Sequence, residues 1–321
     1  MKPFKTVDNQ IKILQSRNLN IDLPDADRLL LKYGYYNIVN GYNDLFLADD
    51  GLLYKDNVFF SDVYRLFSFD KSLRYFTLSA SEEIEIALKT ALSYVIAKNF
   101  GVFEDDYLNL SNYKAGRYNP EKRETDRDFI LNKLRLASNF NNNPYKHYRE
   151  NHGHIPPWIL LNALTFGNLH KFYKLQKSNI KTEVLDIILK ERAYKDKQLF
   201  NDLVYVIYKF RNQAAHLGRL YNYNLKNLMH GSNISYNNVF HNFMGIDSAL
   251  YRQEYGRSDY YTFLNAIKFI DENYFINVLK PGMLLIFTNF SLKNNLTLDK
   301  LILEMGFPSM DHFNDLLKTN L

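Results

Sequence analysis

Leu66, Phe69, Leu73, Phe76, Ala80, Ile84, Ala87, Leu88, Ala91 and Val95 recur at spacings of three and four between Asp62 and Phe100. That is the helical period, and its persistence predicts one long α-helix against which the rest of the chain must pack. Gly101 is placed to stop it. Glu85 and Lys89 stand at i and i+4 with the acid first, the favourable order on a helix. The composition agrees, with 24 Phe and 25 Tyr against 13 Gly and 8 Pro in 321 residues. Many large side chains and few breakers suit long helices better than a turn-rich sandwich or barrel. No alternating run is strong enough for a major sheet, so the expected fold class is all-α.

Several functional classes fall away. The chain has no cysteine, which excludes disulfides, zinc–thiolate sites, iron–sulfur clusters and a cysteine nucleophile. His152, His154 and His170 have no acidic partners at metal spacing, so neither a metal nor another cofactor is expected. The net charge of +5 is compatible with nucleic acid but too small to argue for it. The N-terminal MKPFKTVDNQIKILQ lacks the apolar segment of a secretory signal. No run approaches the ~18–20 apolar residues of a spanning helix. A cytoplasmic protein without a membrane partner is expected.

Along the chain, Pro24-Asp25-Ala26-Asp27 reads as a helix start, and Tyr33-Gly34-Tyr35-Tyr36 through Gly41-Tyr42 as a tight aromatic turn region whose tyrosines pack. Residues 104–128 read as an irregular excursion and Phe129 to Ala137 as a short helix. The Lys- and Arg-rich stretch 114–135 also carries four acids. It reads as a solvated face, with a phosphate-contacting arm as the other option. Pro156-Pro157-Trp158 opens a helix with Trp158 in the core, interrupted at Gly167. The cleanest helix runs from Asp196 to His216, with Leu199, Leu203, Ile207, Phe210 and Ala214 as one stripe and Gly218 as a stop. A last helical pair is expected at Leu298–Met305 and Met310–Leu317 around Gly306-Phe307-Pro308. The expected organisation is an N-terminal helical segment (1–60), a helical core (61–223) with an irregular insertion near 104–155, and a helical extension (224–321).

The stretch that can carry chemistry is Phe210-Arg211-Asn212-Gln213-Ala214-Ala215-His216-Leu217-Gly218-Arg219-Leu220-Tyr221-Asn222. An Arg and a His separated by four to six residues arise about once by chance in a chain with this many of each, and a second pair, Arg149 and His154, is present. That second pair lies in a polar segment with Gly153 inside it, where no regular element is expected to fix its geometry. Arg211 and His216 instead end a strongly amphipathic helix. Asn212 and His216 share a face, and Arg211 and His216 stand about 140° apart on an ideal helix. Lys209 and Arg219 add positive charge at the same end, and Tyr221 and Tyr223 follow as candidates for stacking on bases.

This stretch resembles the R-N-x-x-x-H signature of the HEPN superfamily of helical RNases. The wider chain resembles its Abi-like branch, the abortive-infection D/F-type phage-resistance proteins. The landmarks are Gln10, Leu14, Arg17 and Tyr33 to Tyr42; Asp70, Leu73 and Arg74; Glu82 to Thr90; Pro156-Pro157-Trp158 with Phe166-Gly167-Asn168; and Arg211 to Asn222. They occur in order over about residues 5–222. Position 162 is Asn where many relatives carry an acid. The resemblance implies a HEPN-type helical bundle and metal-independent endoribonuclease activity in anti-phage, toxin-like defence. It also implies a homodimer that brings two signature helices together, and a structured non-coding RNA as a partner besides the RNA substrate. In that chemistry the ribose 2′-OH attacks, His216 is the general acid/base, and Arg211 stabilises the phosphorane. Asn212 orients them, Lys209, Arg219, Tyr221 and Tyr223 bind RNA, and the products are a 2′,3′-cyclic phosphate and a 5′-OH.

Other readings stand beside this one. Arg211 and His216 can be a cationic helix end favouring the macrodipole. The fold can grip a structured non-coding RNA without cutting it, or serve as a protein-binding scaffold. Glu85 reads as an ordinary surface partner of Lys89, with a positioning role towards Arg211 or His216 as the functional option.

Overall fold

The computed structural model describes residues 3–190, 195–227, 234–291 and 298–317. The fold is all-α. In chain order the helices are α1 (Val7–Ser16), α2 (Ala26–Tyr33), α3 (Phe60–Phe100), α4 (Glu104–Tyr107), α5 (Asp126–Ser138), α6 (Tyr145–His152), α7 (Pro157–Leu160), α8 (Phe166–Leu175) and α9 (Ser178–Ile188). They continue with α10 (Lys197–Ala215), α11 (Asn238–Phe243), α12 (Ser248–Arg252), α13 (Tyr260–Ile270), α14 (Glu272–Tyr274), α15 (Lys280–Ser291), α16 (Leu298–Glu304) and α17 (Met310–Leu317). Single π-helical turns occupy Tyr36–Asn40 and Phe275–Leu279. Among the described residues the strands are a two-residue antiparallel ribbon, β1 (Tyr118–Asn119) and β2 (Glu124–Thr125). No described helix is long and apolar enough to cross a membrane.

The predicted long helix is α3, 41 residues and so roughly 60 Å long. Asp62 fixes its start by accepting the Phe59 amide at 2.9 Å, pairing a donor that a helix N-terminus otherwise leaves open. It is the axis of the fold, with α7, α8, α9, α10, α13 and α15 all packed on it. A helix covered on several sides cannot be strictly amphipathic, and Asp70, Arg74, Thr77 and Ser81 are buried on it beside Leu73 and Ile84. The remaining exposed positions form a stripe with a marked apolar share, including Tyr75, Leu78, Ile86 and Tyr94.

The aromatic load is explained by the joints between helices. Phe210 of α10 is fully buried and meets the rings of Tyr260 and Phe263 on α13 at 5.8 and 5.2 Å. Phe69 of α3 meets Phe287 and Phe290 of α15, both at 5.1 Å. Each such ring contributes about 1.5–3 kcal/mol on burial, and the edge-on pairing adds to it. At Gly282 a Cβ would fall 2.2 Å from the Phe76 ring, so a side chain there would have to displace that ring from the joint between α15 and α3.

Several local expectations change. The helix opened by Pro157 is four residues long and runs into a 3₁₀ turn, Leu161–Ala163. The next helix begins at Phe166 after an extended Thr165, so Gly167 lies inside α8 and interrupts nothing. Trp158 is 47% exposed and not core. Arg149 lies on a regular helix, α6, with its guanidinium on the Ser138 and Phe140 carbonyls at 2.6 and 3.2 Å. It is a structural tether there. The aromatic region after α2 is a π-helical turn with Tyr36 75% exposed.

The last helical pair is α16 and α17, and Gly306 between them has φ +90° and would place a Cβ 2.3 Å from Asp259. Asp259 is buried at the start of α13, where its Oδ1 accepts the Thr262 amide and hydroxyl at 2.8 and 2.7 Å. Burial pushes its carboxyl up to about 6, against the opposing pull of Thr262. The folded chain therefore holds a proton that the unfolded chain releases near its ordinary value of 3.8. Stability from this group is present below about pH 4 and lost as pH rises through about 6. Asp259→Asn keeps the capping oxygen and removes the charge. It is expected to abolish that slope and to raise stability at pH 8 by about 2 kcal/mol, as read by urea denaturation at pH 4 and pH 8. Equal stability changes at the two pH values would refute the assignment.

Candidate functional site

α10 begins where Asp196 Oδ1 accepts the Gln198 and Leu199 amides at 2.7 and 2.9 Å. Its buried stripe is the predicted one, joined by Phe200, Val204 and Val206. His216 is the C-cap. Beyond it Gly218 N donates to Gln213 O at 2.8 Å and Leu217 N to Ala214 O at 3.1 Å, the paired bonds of a Schellman closure. The left-handed position of that motif is filled by Leu217, φ +58°, where glycine is usual. Its side chain is 81% exposed, so the fold gains nothing visible from it. Leu217→Gly is expected to raise stability by roughly 0.5–1 kcal/mol, relief of left-handed strain outweighing the added chain entropy. Thermal melts would check this, and a lower midpoint would refute it.

The two ends of the motif face different surroundings. The His216 ring is exposed and has no hydrogen-bond partner among the described residues. Arg211 and Asn212 are half-buried, and Arg211 Nη1 reaches Asn212 Oδ1 at 3.3 Å. Arg211 shares a shallow pocket of about 400 Å³ with Leu78, Glu82, Glu85, Ile86 and Lys89 of α3. Glu85 and Lys89 are 3.6 Å apart within it. Glu85 is thus brought beside Arg211, as the functional option required, though no ion pair joins the two.

The chain after His216 is held by Asp70. This fully buried carboxylate accepts the Leu220 and Tyr221 amides on Oδ1 at 2.9 and 2.7 Å. On Oδ2 it accepts the Tyr42 hydroxyl at 2.7 Å and the Arg74 guanidinium at 2.6 Å. Burial raises its carboxyl above the ordinary range, opposed first by Arg74 and then by Tyr42 and the two amides. Arg219 adds a second tether, with Nη1 on Gly41 O and Asp44 Oδ2 at 2.7 and 2.8 Å. These bonds bring the N-terminal segment, α3 and the end of α10 together around a groove of about 560 Å³. Tyr33, Tyr36, Asn37, Lys71, Arg219 and Leu217 are among its lining. Tyr33 lies between two ammonium groups, Lys32 and Lys71, at 5.1 and 5.2 Å from its ring, and Lys32 first and then Lys71 pull its hydroxyl below the ordinary tyrosine value.

Tyr221 is buried in the core, 6.0 Å from the Tyr42 ring. A ring with no exposed face cannot stack on a base, so that expectation is withdrawn for Tyr221. Tyr223 is half-buried, edge-on to Phe210 at 5.1 Å. Lys209 rests on the rings of Tyr205 and Tyr208, 5.4 Å from each. Asn162 is exposed and donates to Trp158 O at 3.2 Å. His170 is buried, its Nε2 on Asn201, and burial followed by Lys174 pushes it down to about 4. No described cluster of three or more His, Asp or Glu is placed to hold a metal ion.

A family profile described as Abi-like protein matches residues 28–222, which takes in most of α2, the groove, α3 and all of α10 with its closing turn. The chain belongs to the Abi-like protein family. Membership supports a role in abortive-infection defence. No curated protein and no solved structure matches the chain. The Abi-like match ends at Asn222, one residue beyond the amide that Asp70 holds. Asp70 is one of the landmarks of the resemblance, but spacing alone did not show that it anchors the chain after His216. Its signal was an acid on the buried register of α3, between Phe69 and Leu73, with Arg74 four residues on.

Proposed function

We propose that this Abi-like protein is a metal-independent, HEPN-type endoribonuclease in anti-phage defence, active as a cytoplasmic homodimer. His216 moves the proton between the attacking 2′-OH and the leaving 5′-oxygen, Arg211 stabilises the charge of the phosphorane, and Asn212 orients the guanidinium. The observation that carries this reading is the placement of His216. Its ring is exposed and unpaired on a helix end that the Schellman bonds and Asp70 hold rigidly, beside a groove lined by cations and tyrosines. A general acid/base must be reachable as well as held in place, and a buried imidazole such as His170 is not reachable.

RNA supplies the nucleophile, so the protein needs only positioning and proton transfer. One imidazole per chain can be base or acid in a turnover, and a two-fold pairing would supply both. The apolar stripe Tyr75, Leu78, Ile86 and Tyr94 on α3, with Leu217 beside His216, offers a surface for such pairing. The exposed Tyr36 is the ring available for stacking on a base.

The test is incubation of purified protein with end-labelled single-stranded RNA in excess EDTA. Fragments ending in a 2′,3′-cyclic phosphate support the reading, and cleavage that requires magnesium rejects it. One observation favours a second reading, in which the protein binds a structured non-coding RNA without cutting it. Arg211 lies among Glu82, Glu85 and Lys89, a mixed-charge setting that a purely structural arginine would also occupy. Tight binding with no fragments would decide for it.

A further inference from the structure

Several lysines of this chain hold a carboxylate. Lys171 holds Asp126 at 2.7 Å and Lys195 holds Asp186 at 2.8 Å. Between them lies a group that does not. Lys114 is tied by its amide to Leu175 O at the end of α8, at 2.9 Å. Lys174 is the penultimate residue of α8, and Lys181 lies on the second turn of α9. Lys197, the first residue of α10, reaches Ser178, the first residue of α9, at 2.8 Å. None of the four forms an ion pair among the described residues. The Lys181 ammonium rests 5.2 Å from the Tyr173 ring, half-buried, and Lys114, Lys174 and Lys197 are all close enough to act on its charge. Burial first and these three cations next push it down to about 8. Of the nearby acids, Asp126 pairs with Lys171 and Asp196 caps the first amides of α10, while Asp126 and Asp202 both feel the charge of Lys174 without forming an ion pair with it.

Four ammonium groups, none of them in an ion pair among the described residues, repel one another, and the starts of α9 and α10, joined by the Lys197–Ser178 bond at 2.8 Å, add positive potential. An anion held among them relieves that repulsion. We propose that Lys114, Lys174, Lys181 and Lys197, where α8 ends and α9 and α10 begin, form a phosphate-binding site that holds the backbone of an RNA strand. The site lies at the opposite end of α10 from His216, about 28 Å away along the helix. It anchors the RNA remotely while the groove presents another part to His216. The choice of RNA as occupant rests on the proposed function; the lysine cluster does not.

The experiment uses full-length protein carrying His216→Ala, so that bound RNA stays intact, and a fluorescein-labelled single-stranded RNA of about 20 nucleotides. Affinity is measured by anisotropy over a range of salt, with and without Lys114→Gln, Lys174→Gln, Lys181→Gln and Lys197→Gln together. Four lost phosphate contacts lower the slope of log affinity against log salt by about 2–3 for a single strand, with at least a tenfold loss of affinity at 0.1 M salt. A slope changed by less than one overturns the proposal. So does displacement of the RNA by inorganic phosphate at equal phosphate concentration, which would make the site one for the free ion. In the absence of RNA, Lys181→Gln alone raises the thermal midpoint, because it relieves repulsion; a fall would mean that Lys181 serves the fold, and the site would be rejected. The two readings fail separately. Wild-type cleavage with an unchanged slope sinks only this site, and a lysine-dependent slope without cleavage sinks only the nuclease.

Discussion

His216→Ala is expected to slow RNA cleavage by about 10²–10⁴-fold, the range for removing a general acid/base, and to leave the thermal midpoint unchanged. The second half follows from position. The ring is exposed and has no hydrogen-bond partner among the described residues, so truncating it falls within the roughly 0.5 kcal/mol of ordinary surface changes. What it holds for the fold is its backbone, whose amide bonds Asn212 O at 3.0 Å whatever the side chain. Arg211→Ala is expected to cost about 10²–10³-fold for the lost oxyanion stabilisation, and Arg211→Lys nearly as much, because an ammonium cannot offer a two-pronged fork to a phosphate. Initial rates on one labelled RNA, beside melts of the same preparations, measure both halves. Cleavage within threefold of wild type in His216→Ala, or a loss of activity that tracks a loss of stability, would end the nuclease mechanism.

The parts of the fold that were legible in the sequence are those fixed by local periodicity. α3 and α10 lie within two residues of their predicted bounds, since a three-and-four spacing of apolar residues needs no tertiary information. The stop after His216 was also legible, though the left-handed residue is Leu217 and Gly218 instead donates the closing bond. What could not be read depends on contacts between distant segments. Tyr221 follows a basic motif and reads as a base-stacking ring; it is core because Asp70, some 150 residues earlier, holds its amide inward. Asp70 stands among the landmarks of the resemblance, yet nothing local shows that four donors converge on it. The four lysines lie in separate segments of the chain, and only the junction of α8, α9 and α10 makes them neighbours. The groove shows the same limit: its tyrosines were read as packing, and Tyr36 is instead largely exposed on a π-helical turn.

Asp70→Ala should be the most damaging single change in the molecule, at about 3–5 kcal/mol. The carboxylate is fully buried and receives two backbone amides, a phenol and a guanidinium. Removing it leaves the Arg74 charge, nearly as buried, with only the Tyr42 oxygen at 3.0 Å. Breaking one side of a buried ion pair is far costlier than never having built it, and the two orphaned amides add their own desolvation. Asp70→Asn fares little better, because its amide nitrogen must face donors on Tyr42 or on the 220–221 backbone. Tyr42→Phe removes one hydroxyl, which donates to Asp70 and accepts from Arg74, but leaves that ion pair in place, and is expected to cost about 1–2 kcal/mol in a protein that still folds. The double variant Asp70→Ala, Arg74→Met should recover at least 1 kcal/mol relative to Asp70→Ala, since the stranded charge is then gone. Urea denaturation of the wild type, Asp70→Ala, Arg74→Met and the double variant measures the cycle. The same network holds the chain that follows His216, so Tyr42→Phe should also lower the RNA cleavage rate while leaving RNA affinity almost unchanged, as loosened positioning does and lost binding does not. Additive losses for Asp70 and Arg74, or a Tyr42→Phe protein that binds RNA more weakly but cleaves it at full rate, would show that Asp70 anchors the fold without positioning the site.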